Sequence, residues 1–100
     1  MTKKMTRSTG NVFDDLGFSP EEAENLKVRA SLMASIREII EKNTLTQERA
    51  AELFGVSQPR VSDLVRGKID LFSIDALVNM LAAAGHRVRV SVGRGRHRAA

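Results

Sequence analysis

The sequence predicts a mainly α-helical domain: a bundle of about five helices, with a short extended segment near its N-terminus and one β-strand near its C-terminus. Three observations carry this. Apolar residues recur at spacings of three and four over 26–40, 50–65 and 74–82, the period of a helix with one inward face. Ser19, Thr46, Ser57 and Ser73 stand at the start of these runs, each able to accept a hydrogen bond from a free N–H of a first helical turn. At 86–92, HRVRVSV, the period changes to two, with Val88, Val90 and Val92 on one side and Arg87, Arg89 and Ser91 on the other.

One hundred residues suffice for one small domain and not two. The hydrophobic fraction of 42% permits a core, and with four Phe and no Trp or Tyr that core is aliphatic. The absence of cysteine excludes disulfides and thiolate metal sites. His86 and His97 alone leave few ligands for a metal or a catalytic triad, and no glycine-rich phosphate loop is present. Neither an enzyme nor a cofactor is expected. No stretch approaches ~18 apolar residues and no signal peptide is visible, so a cytoplasmic protein without membrane contact is expected. A net charge of +4 suits a polyanionic partner, although mild basicity also serves solubility. Residues 86–100 hold five Arg and no acid, whereas 46–68 hold four basic and three acidic groups. The surplus therefore lies toward the C-terminus.

Taken in order, residues 1–10 (MTKKMTRSTG) have no periodicity and read as a solvated, flexible tail. In 11–18 (NVFDDLGF), Val12, Phe13, Leu16 and Phe18 are too apolar to stay exposed, which suggests an extended segment packed on something. Ser19, Pro20 and Glu22 form a helix start with a capping box, and the helix runs to about Lys42 before Asn43 stops it. Leu26, Ala30, Met33 and Ile40 make one stripe, widened by Leu32, Ile36 and Ile39. So broad a stripe is met either by a bundle that wraps the helix or by a second subunit.

Residues 46–68, TQERAAELFGVSQPRVSDLVRGK, are two short helices about a tight turn. Thr46 caps the first, with Ala50 and Leu53 on one face and Ala51 small enough for close approach. Gly55 is free to take the positive φ of the turn. Ser57 caps the second helix, Pro59 sits in its first turn, and Val61, Leu64 and Val65 face inward until Gly67 ends it. Such a unit is a helix-turn-helix, which lays its second helix in the DNA major groove. Beyond it, Ile69, Leu71 and Phe72 are expected anchors. Ser73 caps a core helix with Ile74, Leu77, Val78, Leu81 and Ala82 inward, ended by Gly85. The strand at 86–92 needs a partner, and 11–18 could supply one within a chain or across a dimer. Residues 93–100, GRGRHRAA, read as a basic flexible tail, which leaves 11–92 as the domain.

The motif resembles the helix-turn-helix of the phage Cro/repressor-like (XRE) family, with Thr-Gln opening the first helix, Ala at its centre, Gly in the turn and Gly-Lys after the second. The runs SQPRVSDLVRGKIDLFSIDALVNMLAAAG and NVFDDLGFSPEEA resemble a narrower group, the HigA-type antitoxins of toxin–antitoxin pairs. The resemblance implies a lambda-repressor-like bundle and a homodimer bound to a double-stranded DNA operator. It also implies a repressor of its own operon that neutralises a protein toxin of ribonuclease type. Two rivals stand beside it: a stand-alone phage-type or host repressor, and a protein-interaction module that has lost DNA binding.

With Val61, Leu64 and Val65 inward, Gln58, Arg60, Ser62 and Asp63 are left on the outer face as candidate base contacts. Gln pairs bidentately with adenine and Arg with guanine. Ser62 can donate to a base or sugar, and Asp63 is expected to meet a cytosine amino group or hold a neighbouring Arg. Candidate phosphate contacts are Gln47, which matches the family position at the start of the first motif helix, with Ser57, Arg66 and Lys68. The sequence departs from the phage repressors at Pro59 and Arg60, so base preferences do not transfer. The alternative for this face is an ordinary solvated helix surface.

Overall fold

Each helix begins where a hydroxyl satisfies an orphan N–H. The computed structural model describes residues 17–94, and among them are four α-helices and one 3-10 turn. These are α1 (Pro20–Lys42), α2 (Gln47–Phe54), α3 (Gln58–Val65), the turn Ile69–Leu71, and α4 (Ile74–Ala83). At α1 the Ser19 hydroxyl accepts from the Glu22 N–H at 3.1 Å, and the Glu22 carboxylate accepts from the Ser19 N–H at 3.0 Å. This reciprocal box satisfies two donors at once. Thr46, Ser57 and Ser73 accept from the N–H groups of Arg49, Arg60 and Ala76 at 3.1, 3.4 and 3.1 Å. Asn43 closes α1, its side-chain amide donating to the Ile39 carbonyl at 2.9 Å. Thr44 then takes φ 52 to turn the chain into α2.

The core is built from all four helices. Met33 and Ile36 come from α1, Ala50, Ala51 and Phe54 from α2, Val61 and Leu64 from α3, and Leu77, Met80 and Leu81 from α4; Phe72 enters from the linker. Each fully buried Leu, Ile or Phe here contributes about 1.5–3 kcal/mol over its exposed state. The wide stripe of α1 is covered within the chain, since Leu32, Ile39 and Ile40 pack against this core. The bundle wraps α1, which sets the frame on which α2 and α3 sit.

Several expectations need correction. The linker after the motif holds a single 3-10 turn, so the described bundle has four α-helices and not about five. Among the described residues, the expected strand at 86–92 forms no ladder. The His86 N–H donates to the Leu81 carbonyl at 2.9 Å and Val88 packs on the core, but Val90 and Val92 are 82% and 94% exposed. Alternation marks two faces of a chain and supplies no neighbour to bond to, and a lone strand does not hold in water. Residues 11–16, most of the expected partner, lie outside the described residues, as do the tail at 1–10 and residues 95–100 of the tail expected at 93–100. Val65, expected inward, is partly exposed; Leu53, expected on the face of Ala50, is partly exposed too, and Phe54 beside it is buried. Leu71 is not an anchor, being 49% exposed; Phe72 is, at 1%. In α4, Ala82 is exposed and Met80 is buried.

Candidate nucleic-acid interface

The two motif helices meet through small and branched side chains. Gly55 adopts φ 71, and the N–H groups of Gly55 and Val56 both donate to the Ala51 carbonyl. That turn brings the buried Ala51 and Phe54 of α2 against the buried Val61 and Leu64 of α3. With one side of α3 fixed inward, its other side is surface by geometry.

On that surface the candidate residues are not equivalent. Gln58, at the first position of α3, is exposed, and its side chain has no hydrogen-bond or ionic partner among the described residues. Ser62 lies one turn further on and is half-buried. Asp63 is half-buried too, and its carboxylate sits 3.8 Å from the Lys68 ammonium. The expected neighbour was an arginine or a base; the lysine that follows the helix takes the place. Since both groups are partly solvated, the pair contributes at most about 1 kcal/mol. Gln47 opens α2 on the surface, Ser57 is exposed while serving as the α3 cap, and Arg66 and Lys68 are exposed beside Gly67 at the end of α3.

Arg60 is the exception. Its Nη1 donates to the Leu71 carbonyl at 2.8 Å, and its guanidinium carbon lies 4.1 Å from the centre of the Phe72 ring. The head is therefore engaged with the linker and not presented with Gln58. A second arginine, which sequence reasoning passed over, grips the same linker from α1. Arg29 Nη1 donates to the Ile69 carbonyl at 3.2 Å and lies 3.5 Å from that of Phe72, while its Nε donates to the Asn25 side chain at 2.7 Å. The Asn25–Arg29 spacing of one helical turn is visible in the sequence; the carbonyls forty residues away are not. Together the two guanidiniums hold carbonyls of residues 69–72 and tie the start of α3 to the entry of α4.

Comparison with known proteins bears on most of the chain. The family described as "Helix-turn-helix domain" matches residues 12–93. A solved structure described as an XRE family transcriptional regulator is similar with a TM-score of 0.67 and 28% identity, over 75% of this chain and 84% of that chain. No curated protein matches.

Proposed function

The chain belongs to the helix-turn-helix domain family and has the fold of a DNA-binding regulator, and from this premise we propose that it is a sequence-specific transcriptional repressor. The observation that carries the reading is the α2–Gly55–α3 hairpin with Gln58 exposed and unpartnered at the N-terminal end of α3. On this reading Gln58 and Ser62 meet base edges in the major groove. Gln47, Ser57, Arg66 and Lys68 hold phosphates at helix ends. Asp63 accepts from Lys68 or, when that lysine turns to phosphate, from a cytosine amino group. Arg60 reaches a base only by leaving the Leu71 carbonyl and the Phe72 ring.

The finer role is that of a HigA-type antitoxin, supported by the resemblance of its sequence around the motif. It acts as a homodimer on paired half-sites, represses its own operon and binds a ribonuclease-type toxin. The exposed Val90 and Val92 support the dimer, because an alternating segment without a ladder gains its missing bonds from a second copy.

The test is duplex binding by fluorescence anisotropy, with DNA from upstream of the chain's own gene. Gln58→Ala removes a bidentate pair with a base and should weaken binding by about 1–3 kcal/mol, with the melting temperature unchanged. Equal affinity of variant and wild type overturns the recognition face. For the antitoxin role, the protein should co-purify with the product of an adjacent ribonuclease-like gene; two separate elution peaks would refute it.

A further inference from the structure

Arg37 lies on α1, outside the motif, yet its head reaches the motif's end. A Cβ placed on Gly67 would stand 3.8 Å from Arg37 Nη1. Gly67 takes φ 76 directly after the α3 cap residue Arg66, with Lys68 next in the chain. The head of Arg37 therefore lies beside a turn that carries two further cations in the chain, Arg66 and Lys68. Among the described residues, the carboxylate paired with this group is that of Asp63, 3.8 Å from Lys68. Three positive charges less one leave a surplus of two. Glu38 and Glu41 share α1 with Arg37, but neither forms an ion pair with it within 4 Å among the described residues.

Arg37 is half-buried, and its guanidinium has no hydrogen-bond acceptor among the described residues. A half-buried stem lowers the entropy lost on fixing the head. A guanidinium carries five donors in a planar fork suited to phosphate. Like charges that gather without neutralising partners are unfavourable in the free protein and favourable against a polyanion. The plainer role, a cation that stabilises the negative end of the α3 dipole without a hydrogen bond, predicts a lower melting temperature on its removal and an unchanged salt slope.

We propose that Arg37 is a DNA-phosphate contact delivered from α1 to the C-terminal end of α3. The proposal rests on the DNA-binding reading above, and the experiment separates the two. Anisotropy with a mixed-sequence duplex is measured across a salt series for the wild type, Arg37→Gln and Arg37→Lys, with a thermal melt of each. The log–log salt slope should fall by roughly 0.9 per protomer in Arg37→Gln and stay at the wild-type value in Arg37→Lys. Wild-type protein that binds no duplex overturns the DNA reading and this proposal with it. A wild type that binds, with an unchanged slope in Arg37→Gln, overturns the proposal alone. A lower melting temperature with an unchanged slope assigns Arg37 to helix stability and also overturns it. Arg37→Met, which keeps the stem, is read the same way should the Gln variant fail to fold.

Discussion

Replacing Arg60 with Ala should cost stability, although the residue sits on the helix face that the sequence offers to DNA. The substitution removes the 2.8 Å bond to the Leu71 carbonyl and uncovers the Phe72 ring, which the guanidinium approaches at 4.1 Å. The carbonyl belongs to a partly exposed residue and can turn to water, so losing the bond costs about 0.5–1.5 kcal/mol. The stacking adds about 0.5–2 kcal/mol, since one side of it rests on a buried ring. The sum is about 1–3.5 kcal/mol. Urea unfolding followed by circular dichroism should show a lower midpoint with the same slope. The melting temperature should drop by roughly 4–8 °C for each kcal/mol in a domain of this size. Arg60→Lys should fall between, because the ammonium keeps the charge and loses the planar stacking. Arg60→Ala within about 0.5 kcal/mol of wild type would refute this reasoning. DNA binding gives a second check. A positioning role weakens binding evenly across operator variants, whereas relaxed preference at one base pair would make Arg60 a direct reader.

Two further substitutions probe the backbone. Gly55→Ala should destabilise by about 1–2 kcal/mol, the cost of an L-residue in the left-handed region. The new Cβ meets Ala83 Cβ at an ordinary 3.7 Å, so the penalty is conformational and not a clash; a melting temperature equal to wild type would contradict it. Thr44→Asn should stabilise by up to about 1 kcal/mol, because Thr44 holds φ 52 with a β-branched side chain and Asn adopts that region readily. Calorimetry that finds the Asn variant melting lower would show that strain at Thr44 is offset elsewhere.

What the sequence disclosed was local. Ser19, Thr46, Ser57 and Ser73 all act as caps because a capping bond spans three residues and depends on little else. The glycine turn of the motif and the end of α1 were legible for the same reason. Choices between adjacent apolar positions were not. From Ala50, steps of three and four lead to Leu53 and Phe54, and only the packed bundle decides that the larger ring goes inside. The same ambiguity put Val65 beside Leu64 as an inward residue. Periodicity assigns faces and never targets, so it could present Arg60 as an outer residue without revealing Leu71 and Phe72 as its neighbours. It missed Arg29 altogether, and at 86–92 it found alternation without a partner.

The grip of Arg29 and Arg60 on the 69–72 linker divides α3 into positions that can drift and one that cannot. Gln58 is free to be exchanged without disturbing the bundle, and Ser62 touches it only in part. Arg60 cannot change without loosening the junction with α4. On the proposed reading, in which Gln58 and Ser62 meet base edges, a programme to redirect this protein to a new DNA site should vary residues 58 and 62 and leave 60 alone. Transplanting a whole outer helix face from a related protein would import a residue at 60 suited to another linker.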